Sequence, residues 1–389
     1  MHKIDVSKGQ CIGTVSSQWA NRPEDQRFTS LSALRTQVAM WADQSSAREV
    51  LPKNIRAIYD AANPEYIGFD VDGTVIEPSH WGFSQIARIA EAPADYLRSL
   101  PAPLAAVNLN YGLGVAEQKG VAAYIRQPVD GGAMLRGITS TKYGRILDRD
   151  VVDAVMNVAG NGTGDTRWKV PGCIDWSSEF GVAYNSEVDI TKDNTTLYAS
   201  DRDVFMFLVD DRNPIEVGKL DNGDPDLMFR GFYVWNSEVG CRTFGFASMY
   251  LRGVCQNRNL WGVEGFNEVV FKHTSGAPNR FAKEAEPALL AFADGEASKL
   301  VKGVQAAKQA IVAKDDEERE DFLSKFGISL KMARKVIAQC ELEEGHKPES
   351  VWDFANGLTA VARGEALQEN RLKIEQMAGK LLDKVKVPA

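Results

Sequence analysis

Asp70-Val71-Asp72-Gly73-Thr74 has the clearest catalytic spacing in this chain of 389 residues. A carboxylate, a one-residue spacer, a second carboxylate and a Gly-Thr step suit Mg²⁺-dependent phosphohydrolysis. In that chemistry the first carboxylate attacks phosphorus, the second handles the leaving group, and the metal offsets charge. Thr139 or Ser140 would hold the phosphate, Lys142 would supply a cation, and Asp210 and Asp211 would ligate the metal. Such a nucleophile sits at the end of a buried parallel strand, which reads as a continuous apolar run. Tyr66–Pro78 instead alternates about Asp72-Gly73, a two-residue turn signal. The pattern predicts a hairpin, with phosphohydrolysis through Asp70 and Asp72 as the alternative.

The second candidate chemistry is binding. Arg230 to Lys272 interleaves nine aromatic with five basic and three acidic side chains. Rings that stack on bases, with cations along a backbone, hold single-stranded nucleic acid. Arg126, Arg136, Lys142, Arg145, Arg252 and Arg258 are the candidates to neutralise phosphates. Tyr143, Trp235 and Tyr250 are the candidates to stack, and Asn257 and His273 would complete a polar groove. Alternating strands equally put such rings in a core and the arginines on the wet face. Two helix pairs, Phe83–Leu100 and Phe322–Cys340, have the outline of a helix-turn-helix. Only Arg98 in the first offers a clear base-reading side chain.

Composition limits both readings. With 45 Lys and Arg against 53 Asp and Glu, the net charge of −8 excludes a protein that coats nucleic acid by bulk positive charge. A local stripe remains possible: Ile125–Arg149 carries five basic and two acidic residues. Five widely spaced cysteines without a C-x-x-C predict neither a disulfide framework nor zinc. The four histidines do not pair at ligand spacing, and Walker and G-x-G-x-x-G loops are lacking, so no metal or cofactor is expected. The first residues lack an apolar signal segment, and no apolar run approaches a membrane span. A reduced, cytoplasmic location is the expectation.

The elements that must position these residues fall into three zones. Residues 1–120 mix helical periods, including Leu31–Ala42, with the hairpin and a helix pair. Residues 121–278 are strand-rich, punctuated by Gly131-Gly132, Asn161-Gly162 and Asn222-Gly223, with one helix at Asp148–Ala159. Residues 279–389 are helical throughout, as a lid on the sheet or as a separate bundle. The expected class is α+β, a central, mainly antiparallel sheet with flanking helices and a helical C-terminal region.

Three motifs carry a family resemblance. Asn236-Ser237-Glu238-Val239-Gly240 forms the first, Arg252 to Asn257 the second, and Lys272-His273-Thr274 the third. The tryptophan-to-proline stretch Trp81–Pro101, the step Leu135–Val152 and the C-terminal helices add to it. Together they resemble a phage- and plasmid-borne family known as domain of unknown function number nine hundred and thirty-two, over most of Gly73–Leu382. The resemblance implies a mobile-element protein in a bacterial host and names no activity. It raises DNA replication, recombination and annealing as roles, and with them a homo-oligomer. A protein-binding or assembly factor acting on a host or phage machine is the other non-enzymatic expectation. Within the motifs, Arg136, Tyr143, Arg252, Asn257 and His273 are expected to converge on one polar groove.

Overall fold

The computed structural model describes residues 22–389 except 130, 171–173, 176–182, 185–189, 193–194, 221–222, 253–257, 260–268, 296–297, 364–373, 375–376 and 386–389. The chain is α+β, and among the described residues all but one of the strand pairings are antiparallel.

One sheet has six strands: β2 (Ser45–Val50), β3 (Ile55–Asp60), β4 (Asn63–Val71), β5 (Thr74–Pro78), β6 (Val121–Arg126) and β7 (Ala133–Ser140), ordered β2-β6-β7-β5-β4-β3. β5 and β7 form the parallel pair. The crossover between β5 and β6 holds three helices, α2 (His80–Ile89), α3 (Ala94–Ser99) and α4 (Ala102–Val115). Their apolar side chains, Phe83, Ile86, Leu97, Leu109 and Leu113, bury against Phe69, Val71, Ile76 and Leu135 of the sheet. β6 and β7 belong to this sheet, so the expected boundary at residue 120 falls inside it.

The larger sheet runs β1 (Arg27–Phe28), β11 (Leu197–Ala199), β12 (Val204–Asp210), β14 (Pro225–Asn236), β15 (Phe244–Arg252) and β16 (Arg258–Asn259). β8 (Trp168–Lys169) adds to β12, β13 (Ile215–Lys219) to β14, and β17 (Val269–Phe271) to β15. A separate ribbon pairs β9 (Ile174–Asp175) with β10 (Ala183–Tyr184). α1 (Leu31–Asp43) and α5 (Asp148–Ala159) cover one face of this sheet. So does the helix that begins as α6 (Ala277–Arg280), passes a π-turn at Phe281–Ala285 and continues as α7 (Glu286–Asp294). Leu34, Val151, Val155 and Leu289 meet Met206, Leu208, Phe232 and Phe246 there. Tyr198, Phe205, Phe207, Phe229 and Tyr233 bury on the opposite face, so the central strand Val204–Asp210 is buried along its whole length.

The C-terminal helices α8 (Ser298–Gln309), α9 (Asp316–Ser324), α10 (Leu330–Glu344) and α11 (Val351–Arg363) form a bundle. Its core takes in Ile215, Val217, Met228 and Tyr250 of the large sheet. The bundle is therefore a lid on one end of that sheet, which decides between the two sequence-based alternatives. Both helix pairs with a helix-turn-helix outline are packing units. Gln85 of the first is buried, and Leu323 and Val336 of the second lie in the bundle core.

The Asp70–Thr74 segment is a hairpin. β4 runs antiparallel to both β3 and β5, and Asp72 and Gly73 have φ of +48° and +84°. Asp70 Oδ1 accepts the Gly73 N–H at 2.7 Å, as a turn residue does. Asp210 and Asp211, its expected metal partners, are committed elsewhere. Asp210 pairs with Arg167 at 2.7 Å and Asp211 with Lys169 at 2.5 Å. Antiparallel neighbours and committed carboxylates remove the geometry that phosphohydrolysis through Asp70 and Asp72 requires.

Cys340 is a free buried thiol, whereas Cys241 is disulfide-bonded. This corrects the expectation of an entirely reduced set. No helix among the described residues is long and apolar enough to cross a membrane.

Candidate functional site

The two sheets meet at the turn Asn236–Gly240, and polar side chains from both lock onto it. A bulge begins the arrangement. β6 and β7 slip register between Tyr124 and Ile125, leaving Arg136 without a paired residue. Bulges re-aim side chains in this way. Arg136, 1% exposed, donates to Glu238 Oε2 at 2.5 Å. Glu238 Oε1 accepts the Asp148 N–H at 2.9 Å, at the start of α5. Asn236 Nδ2 donates to Asp148 Oδ1 at 2.7 Å and to the Ile146 carbonyl at 2.9 Å. From the other side, Trp81 Nε1 and Gln85 Nε2 each donate to the Val239 carbonyl at 2.9 Å. Burial and the neighbouring Glu238 push the Asp148 carboxyl well above its ordinary range.

Of the residues expected to converge, Arg136, Tyr143 and His273 do so, and Arg145 joins them. The Tyr143 hydroxyl donates to the Ser237 carbonyl at 2.7 Å, and its ring stacks on His273 at 4.8 Å. His273 Nδ1 lies 3.1 Å from the Gly144 carbonyl, and the Gly144 N–H donates to the His273 carbonyl at 3.1 Å. Arg145 donates to the Glu238 carbonyl and stacks 3.8 Å from the Tyr124 ring centre. The place is a sealed junction where an open groove was expected. Arg136 is spent on Glu238, and His273 is buried.

The stacking residues need correction too. Tyr250 is buried against the C-terminal lid. Trp235 is half-buried, stacks on Tyr233 at 5.5 Å and lies over its cross-strand partner Gly245. A Cβ placed on Gly245 would stand 1.8 Å from the indole. Gly245→Val is expected to eject the indole and cost about 1–3 kcal/mol. A red-shifted tryptophan emission with a lower melting temperature would show it. The side chains of Arg252 and Arg258, and Asn257 altogether, lie outside the described residues.

What stays accessible is a row of cations along β6–β7. Lys142 and Lys272 are exposed, on two loops joined by the Gly144–His273 hydrogen bonds. Arg145 follows and is half-exposed, then Arg126 at the far end of β6, half-exposed over the Trp41 ring at 5.8 Å. None of the four makes an ion pair among the described residues. Val121 pairs with Ser140 and Arg126 with Met134. The row therefore spans roughly 17 Å at strand rise. Burial lowers the pKa of both Arg126 and Arg145; Arg136 adds to this, while Asp201 opposes it at Arg126 and Tyr124, Glu238 and Tyr143 oppose it at Arg145. Three guanidiniums with one carboxylate ion pair among them leave positive charge unmatched. The sequence reading missed two parts. Lys272 and Glu238 were visible only as motif residues.

His273 also sets a pH dependence. Burial, with repulsion from Arg145, lowers its pKa from 6.5 to about 4. A lowered pKa leaves the unfolded chain binding the proton first, so this stability is complete above pH 6.5 and is lost as pH falls toward 4. The loss is at most about 1.4 kcal/mol per pH unit. Urea midpoints at pH 7 and pH 5 are expected to differ less in His273→Gln than in the parent chain.

Comparison with protein-family models, with curated proteins and with solved structures finds no match.

Proposed function

We propose that the chain is a non-enzymatic binder of single-stranded nucleic acid, with the backbone laid along the β6–β7 row. The observation that carries this reading is the set Lys142, Lys272, Arg145 and Arg126, four accessible cations without a carboxylate ion pair among the described residues. Burial without a carboxylate ion pair disfavours the charge on Arg126 and Arg145, which an added anion would offset. One file of cations matches one backbone, whereas duplex binding engages two strands across a groove. Half-buried Tyr143 and Trp41 flank the file. The resemblance to a phage- and plasmid-borne family agrees with work on single strands.

Lysine acetylation in the presence and absence of an oligodeoxythymidine tests the location. Lys142 and Lys272 are expected to be protected by the oligonucleotide while Lys331 and Lys335 of α10 stay reactive. Equal labelling with and without oligonucleotide removes the β6–β7 row as the site.

A further inference from the structure

Helix α4 shows a face that none of the described residues covers. Leu104, Val107, Tyr111 and Val115 are 55%, 66%, 74% and 66% exposed. Their spacing of three, four and four residues puts them on one side of the helix. The opposite side is fixed. Ala105, Ala106, Leu109 and Leu113 are buried. Asn110 clamps the free edge of β3, accepting the Ala57 N–H at 2.7 Å and donating to the Ala57 carbonyl at 3.0 Å. A Cβ on Gly112 would stand 2.2 Å from the Ala90 carbonyl oxygen, so helix and neighbour are in backbone contact. The bare stripe is held rigid, which lowers the entropy lost on docking.

We infer that this face pairs with the same face of a second copy of the chain, the two α4 helices antiparallel about a two-fold axis. Three observations select that occupant. The helix has no ionisable group except the Tyr111 phenol, and no charged residue lies between Arg98 and Glu117. A phosphodiester or a charged peptide finds no partner there. A helix that lies on lipid carries Lys and Arg along its polar side, whereas this one is packed on a sheet. The stripe is also self-complementary. Turned end for end about its middle, Leu104 meets Val115 of the second copy, and Val107 and Asn108 meet Tyr111 of the second copy, as an isologous contact demands.

The four side chains leave on the order of 400 Å² bare on each copy, a patch of the size that marks interaction sites. Two copies would bury about 800 Å² in all, below the size of stable specific interfaces, which gives a weak, reversible dimer. With a net charge of −8 on each copy, an uncharged contact is the surface on which two copies meet with least repulsion.

Sedimentation equilibrium of nucleic-acid-free protein tests the pairing, independently of the cationic row. The average mass is expected to climb from 42.8 kDa toward twice that value as concentration rises through the micromolar range. Val107→Glu with Tyr111→Glu is expected to stay at monomer mass with an unchanged melting curve; Val107→Asn, a milder change, should weaken association at least tenfold. In the antiparallel arrangement Asn108→Cys with Tyr111→Cys forms interchain disulfides on mild oxidation, and Leu104→Cys alone does not. A parent chain that stays monomeric overturns the inference, as does a glutamate variant that associates like the parent. Vesicle binding by a monomeric parent, or dimerisation that appears only after residues 1–21 are deleted, overturns it in favour of lipid or of the chain's own first segment.

Discussion

Glu238→Ala is expected to cost about 3–5 kcal/mol of folding stability, more than any other single change at the junction. It leaves the Arg136 guanidinium buried without its carboxylate and removes the acceptor of the Asp148 N–H. Urea denaturation reads the loss directly. Changing both members, as Arg136→Met with Glu238→Leu, is expected to recover most of it, because two apolar side chains of similar volume avoid the desolvation of both charges. A single variant within about 1 kcal/mol of the parent would show that the sheets are held together without this pair.

Removing the accessible cations is expected to have the second large effect. Arg126→Ala, Lys142→Ala and Lys272→Ala combined delete three phosphate partners and, apart from the Arg126–Trp41 contact, leave the apolar cores untouched. Affinity for an oligodeoxythymidine at low salt is expected to fall on the order of 100-fold, and the slope of log affinity against log salt to flatten by about 2. Stability should change little, since half-exposed and exposed cations without ion pairs contribute little to folding. Arg145 is left in place because it also bonds the Glu238 carbonyl.

The elements were more legible than the site. The Asp72-Gly73 turn, the helix Asp148–Ala159 and the strand character of Phe229–Asn236 followed from turn residues and period, both local properties. That β6 and β7 join the N-terminal sheet was not legible, because the parallel β5–β7 pairing spans a crossover of three helices and leaves no local trace. The convergence of Arg136, Tyr143 and His273 was anticipated from motif residues, but its burial was not. Spacing shows that an arginine lies near a strand end; it does not show that a glutamate 102 positions away occupies it. Trp235 failed for a related reason. An indole among basic residues resembles a stacking platform until its cross-strand partner, Gly245, supplies the flat bed on which it lies. Arg126, Lys142 and Arg145 stay accessible among the expected binding residues; they stand at a strand end and in one loop, where backbone leaves the sheet core.

The most direct test is the anisotropy of a labelled oligodeoxythymidine titrated with the parent chain from about 20 to 200 mM salt. Four phosphate contacts predict binding at the low end that weakens with a log–log slope near −3, with duplex of equal length bound less tightly. No binding at the lowest salt, or an affinity indifferent to salt, would contradict a nucleic-acid role for the β6–β7 row.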